Sequence, residues 1–212
     1  MVDVRIFFQK KDAMRFTSHL DMNRAFTRAL FASGLPVWFT EGFNRHPHLV
    51  FGQPLPLGMA GERETLDMRL TEEVDFYTIA DRLNEQLPPG IIVISVASPV
   101  YPHKEIAFAS YEISIDPAYK ESFEQFWSMP SIIAKKKTKR AEIELDLKKE
   151  IPELTYSIKD GQFTINAIMP CSFECSIGPI VLIKAFEEFV GNEVFRYHTR
   201  KEFLLKDYSS FE

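Results

Sequence analysis

The stretch RFTSHLDMNRAFTRALFASGLPVWFTEGFNRHPHLVFGQPLPLGM, residues 15–59, holds three of the five histidines, His19, His46 and His48. Ser18 and Asp21 form an S-x-x-D capping box, whose hydroxyl covers a free N–H of a first helical turn. Met22, Ala25, Phe26 and Ala29 follow at i, i+3, i+4 and i+7, the spacing of a buried helix stripe. Arg24 and Arg28 fall on another face. Gly34 is the expected helix stop, and Pro36 follows it. Pro36–Glu41 reads as a strand. Residues 42–56 carry Gly42, Pro47, Gly52, Pro54 and Pro56, too many breakers for regular structure. Long loops of this kind inside compact domains usually bind or catalyse.

Outward from this stretch, Val2, Val4, Ile6 and Phe8 alternate with Asp3, Arg5, Phe7 and Gln9, which predicts a strand. Leu66, Met68 and Leu70 alternate in the same way with Thr65, Asp67 and Arg69. Thr71 opens a second helix with Val74, Ile79, Ala80 and Leu83 facing inward, and Pro88-Pro89-Gly90 ends it. Ile91–Val96 is a branched, buried strand. The order strand, helix, strand, strand, helix, strand is that of a split βαβ, or ferredoxin-like, unit.

Residues 99–107, PVYPHKEIA, read as a linker, after which a similar order returns. Ser110–Ile115 predicts a strand and Pro117–Trp127 a helix with proline in its first turn. Ser131–Lys137 is a further strand, and Lys139–Asp146 either extends it or forms another. Leu154–Ile158 and Gln162–Ile168 flank a D-G hairpin turn at Asp160-Gly161. Ile177–Phe189 is a helix stopped by Gly191, and Val194–Tyr197 a short last strand. The expected fold is α+β: two tandem ferredoxin-like halves, residues 1–98 and 108–212, the second with an extra β-hairpin.

The 212 residues are 45% hydrophobic and 26% charged, an ordinary globular composition. A net charge of −5 argues against a surface basic all over, though not against a local basic patch. No apolar run approaches the roughly 20 residues of a membrane helix, and MVDVRIFFQKK has no basic leader, so a cytoplasmic protein is expected. In that compartment Cys171 and Cys175 are expected as free thiols.

Four groups of residues have the chemistry of a site. His19 and Asp21 sit at a helix start, whose partial positive charge suits a phosphate, with Arg15, Arg24 and Arg28 nearby; the bland reading makes them cap residues and solvated surface. Phe43, Asn44, Arg45, His46 and His48 follow in the loop. H-x-H with a distant H-x-D suggests a metal, but the spacing matches no strong zinc motif. Glu62, Glu64 and Asp67 are carboxylates that suit acid–base work or, more simply, a solvated strand face. Lys135, Lys136, Lys137, Lys139 and Arg140 make a basic run of the kind that contacts nucleic acid or stays solvated. No G-x-x-x-x-G-K-[ST], G-x-G-x-x-G or G-x-S-x-G motif occurs.

At RFTSHLD, GFNRHPHLVFGQPLPLG and ETLDMRL the chain resembles a bacterial family of unknown function, the radical-SAM-linked domain, found alone or fused C-terminally to B12-type radical SAM proteins. The resemblance spans most of the chain. It is specific in Arg15–Asp67 and looser at KKTKRAEIELDL and FRYHTR. Family members are often encoded beside a ribosomal protein and an RNA-processing nuclease, which implies RNA. The C-x-x-x-C-x-x-C cluster motif is missing, so the resemblance assigns radical chemistry to a partner. Tandem ferredoxin-like halves are also similar to CRISPR repeat-processing endoribonucleases, at the level of fold alone.

The resulting expectation is a non-catalytic module that holds a tRNA or rRNA segment and presents it to a radical SAM protein. Arg15, Arg24, Arg28, Arg45, His46 and His48 would meet phosphates, and Phe43 would stack on a base. His19, His46, Asn44 and the arginines 15, 24 and 28 are expected to converge on one pocket. Two alternatives stand beside this reading. One is a ribonuclease with His19 or His46 as general base, with Asp21 or Glu64 added in a metal-dependent form. The other is a ligand-free protein-interaction module. No bound cofactor and no structural zinc are expected.

Overall fold

The structure is a computed structural model and describes residues 1–43, 45–137 and 142–212. The chain forms two compact units. The first is Met1–Ile106 with Ser210–Glu212, and the second is Ala107–Ser209. The class is mixed α+β, with antiparallel sheets and five α-helices among the described residues. No helix among them is long and apolar enough to cross a membrane.

In the first unit the elements are β1 (Val2–Lys10), α1 (His19–Ala32), β2 (Leu49–Phe51), β3 (Ala60–Leu70), α2 (Phe76–Asn84) and β4 (Ile91–Ala97). The sheet order is β4-β1-β3, with β2 also pairing β3, all antiparallel. Period-2 alternation sorts the side chains. Val4, Ile6, Phe8, Leu66, Met68 and Leu70 point to one face, where Met22, Ala25, Phe26, Ala29 and Leu30 of α1 and Ile79 and Leu83 of α2 close the core. Arg5, Phe7, Thr65 and Asp67 take the other face, with Arg5 directly opposite Asp67 and Asp3 opposite Arg69.

Three differences from expectation arise here. Val37 and Phe39 make only isolated bridges, to Leu70 and Pro47, and Pro36–Glu41 is no strand. Leu49–Phe51, inside the expected irregular loop, takes the pairing with β3 because Leu49 and Phe51 are the apolar pair that reaches the core. The expected linker does not hang free within its unit. His103–Glu105 forms a single 3₁₀ turn, and the Val100 and Tyr101 amides donate to the Glu212 backbone oxygen at 3.3 and 3.1 Å.

The second unit runs β5 (Phe108–Ile115), α3 (Lys120–Ser128), β6 (Ile133–Lys137), β7 (Glu142–Asp146), α4 (Leu147–Glu150), β8 (Glu153–Lys159), β9 (Gln162–Pro170), α5 (Pro179–Val190) and β10 (Arg196–Leu204). Its main sheet is ordered β10-β5-β9-β8, and β6 and β7 pair as a separate hairpin. The core is aromatic. Phe123 meets Phe186 at 5.2 Å and Phe163 at 5.6 Å between centroids, edge to face. Asp160 and Gly161, both at positive φ, make the predicted two-residue turn between β8 and β9. Gly191, at φ 77°, ends α5 as its position predicts. The last strand starts two residues later and extends to Leu204, well beyond the expected Val194–Tyr197. Its buried positions include His198, Thr199 and Arg200, so polar residues hide the alternation.

Candidate functional site

The predicted N-cap forms, and the two side chains of the box bond to each other. The Asp21 amide donates to Ser18 Oγ at 3.2 Å, and Ser18 Oγ donates to Asp21 Oδ2 at 2.7 Å. That hydroxyl bond, with the hydrogen bond and charge of Arg24 adding to it, holds the Asp21 carboxyl below the usual carboxylate range. Arg24 Nη1 reaches Asp21 Oδ1 at 3.2 Å, and Arg28 lies one turn further on the same exposed side. Just before the helix the Arg15 guanidinium lies 4.6 Å over the ring of Phe16, which is 58% exposed. So Arg15, Ser18, His19, Asp21, Arg24 and Arg28 do gather around the start of α1.

His19 opens onto a hollow of about 20 Å³, room for about one water, lined also by Lys10, Gln53, Glu64 and Phe51. Its ring meets Phe51 edge-on at 5.1 Å. Lys10 and Glu64 are buried, and Lys10 Nζ donates to the Thr17 carbonyl at 2.8 Å. Gly61 makes this packing fit: a Cβ there would stand 2.6 Å from Glu64 Cγ and 2.8 Å from Leu55.

Neither loop histidine lines the hollow beside His19. His46 is tied to Thr40: its amide donates to Thr40 Oγ1 at 3.3 Å, its Nδ1 lies 3.2 Å from the same oxygen, and Thr40 N donates back to its carbonyl at 2.9 Å. His48 meets Trp38 at 6.2 Å and lines a different cavity. Leu49 and Phe51 turn into the core, which puts His48 and Val50 on the opposite side of the strand from His19's neighbour Phe51. Phe43 is fully exposed and Arg45 is exposed. Asn44 lies outside the described residues.

Of the basic run, Lys135 is exposed and Lys136 half-buried on β6. Lys135 stands opposite Glu144, and Lys137 opposite Glu142, in the hairpin register. Glu144 on β7 therefore offsets the charge of Lys135. Thr138, Lys139 and Arg140 lie outside the described residues.

The second cavity, about 480 Å³, sits on the face of the first unit's sheet turned away from α1 and α2. Sequence reasoning passed over most of its wall. Arg5 is wholly buried, with Nε and Nη2 each 2.7 Å from an Asp67 oxygen and Nη1 donating to the Glu212 carbonyl at 2.8 Å. The Phe211 ring lies 4.4 Å from the Arg5 guanidinium and stacks on His103 at 5.7 Å. His103 Nε2 is 3.1 Å from Thr65 Oγ1 and 3.6 Å from Asp67 Oδ1. Burial, aided by the Arg5 charge and opposed by Asp67, holds its imidazole below the ordinary histidine range. The signal for this cluster was the matching alternation of VDVRIFFQ and ETLDMRL, which puts an arginine and an aspartate on one face. Nothing in PVYPHKEIA marked His103.

In the second unit Cys171 is buried and Cys175 exposed, both as thiols. Tyr111 Oη donates to Cys171 Sγ at 3.6 Å, Arg200 Nη1 approaches the same sulfur at 3.8 Å, and burial pushes the Tyr111 hydroxyl well up. Among the described residues no three His, Cys, Asp or Glu side chains come together as a metal site would need.

No curated protein matches the sequence. A family model does, over residues 4–179, and the chain therefore belongs to a family described as an uncharacterised protein conserved in bacteria (DUF2344).

Proposed function

We propose that the chain is a cytoplasmic RNA-binding module that presents a tRNA or rRNA segment to a radical SAM partner. The observation that carries this reading is the surface at the start of α1. There an arginine packs on an exposed phenylalanine, and two more exposed arginines continue along the helix. An exposed aromatic ring beside guanidinium groups offers a base something to stack on and its phosphates something to pair with. Leu20, also exposed, and Leu57 widen the apolar part of that surface. We also read the strand orders β4-β1-β3 with β2, and β10-β5-β9-β8, as two split βαβ units, the second carrying β6 and β7 as an insertion. The radical SAM partner comes from the family resemblance and supplies the chemistry, for which this chain has no cluster motif.

The test is fluorescence anisotropy with labelled unfractionated tRNA and labelled oligouridylate across a salt series. Three phosphate contacts, one each at Arg15, Arg24 and Arg28, predict log K falling against log salt with a slope of roughly −2 for a single strand. No binding, or binding with a flat salt response, overturns the reading and leaves protein docking as the use of this surface.

A further inference from the structure

We propose that the cavity beside Arg5 and Asp67 seats one unstacked nucleotide, its phosphate on Arg69 and His48 and its base against Tyr101 and Asp67. The nucleotide's origin in an RNA strand rests on the reading above; the chemistry of the cavity does not.

Size comes first. About 480 Å³ is within the range of small-molecule sites, roughly 300–1,000 Å³. The walls then divide by function. Arg69 is held in place from two sides: its Nε donates to Asp3 at 2.7 Å, and its guanidinium lies 5.6 Å from the Trp38 ring. Its two terminal nitrogens make no hydrogen bond among the described residues, so an oriented fork of N–H donors stands at the rim. His48, set against the same Trp38 ring, adds a second phosphate contact.

The base end is different in kind. Asp67 spends one acceptor position of each oxygen on Arg5 and keeps the others. A carboxylate fixed in this way accepts an exocyclic amine, such as that of cytosine. Tyr101, partly exposed, and Val50 and Val100 provide the ring and apolar surface on which an unstacked base rests. The two ion pairs, Arg5 with Asp67 and Arg69 with Asp3, balance in charge, so an incoming phosphate meets donors without net repulsion.

Isothermal titration of the whole chain with AMP, CMP, GMP and UMP tests this, with adenosine and inorganic phosphate as partial ligands. The expected result is one-site binding of at least one of AMP, CMP and GMP. UMP, which lacks an exocyclic amine, should bind more weakly, and adenosine or phosphate alone more weakly still. Arg69→Ala should weaken nucleotide binding about tenfold or more. His48→Ala, on an exposed loop, should weaken it in the same direction and serves if Arg69→Ala disturbs folding. Arg24→Ala/Arg28→Ala should leave it unchanged. Silence with every nucleotide, inorganic phosphate binding as tightly as AMP, or both rim variants binding like the parent overturns the proposal. The two readings fail separately. Nucleotide binding without RNA binding removes the RNA reading and leaves the cavity as a site for free nucleotides, whereas salt-dependent RNA binding with a cavity silent to nucleotides removes only the cavity.

Discussion

Arg5 has no exposed surface and shares its donors between Asp67 and the Glu212 carbonyl. A buried pair of this kind adds little net stability, yet breaking it from one side leaves an uncompensated charge. Asp67→Asn should therefore lower unfolding free energy by about 3–5 kcal/mol, measured by urea denaturation. Loss of the exposed Asp3 partner by Asp3→Asn should cost about 1 kcal/mol at most. His103 adds a pH dependence. Its folded-state affinity for a proton is depressed from the ordinary value of 6.5, so the unfolded chain takes up the proton first as pH falls. The neutral ring's contribution is thus complete above about pH 6.5 and is lost on acidification below it, until the folded form protonates too. The urea midpoint should drop across that window in the parent and drop less in His103→Gln. Equal slopes would show that His103 does not set the dependence.

At the level of elements, α1 was the most legible part of the sequence and β2 the least. The α1 boundaries follow from local rules that need no tertiary information: a capping box at Ser18 and Asp21, a stripe at Met22, Ala25, Phe26 and Ala29, and a glycine after the end. Ser18→Ala should cost about 1 kcal/mol of stability and raise amide exchange in the first turn of α1, while exchange in β9 stays as it was. Uniform change across both elements would contradict a local cap. β2 failed because Leu49–Phe51 lies among five glycines and prolines, and only its pairing with β3 makes it a strand. The same loss explains the site. Local sequence placed Arg15, Ser18, His19, Asp21, Arg24 and Arg28 together, since one helix start carries them all. It could not assign His48 to the far face, because a single step of strand register decides that. Nor could it bring His103 and Phe211 to Arg5, since 98 and 206 residues separate them from it.

Across the whole molecule the acidic total of −5 and the cationic surface of α1 are compatible only if charge is local. Glu144 opposite Lys135 shows the same economy on the β6–β7 hairpin. On the RNA-binding reading proposed above, affinity would depend on a few named arginines and not on overall charge. Arg24 and Arg28 decide the matter, because both are exposed and their replacement should change folding by less than about 0.5 kcal/mol each. The measurement is the salt slope of RNA affinity for the parent and for Arg24→Ala/Arg28→Ala, taken side by side on the same oligouridylate. The predicted result is a slope shallower by roughly one to two in the double variant, with weaker binding at low salt. A double variant that binds as tightly as the parent, with the same slope, would contradict the account.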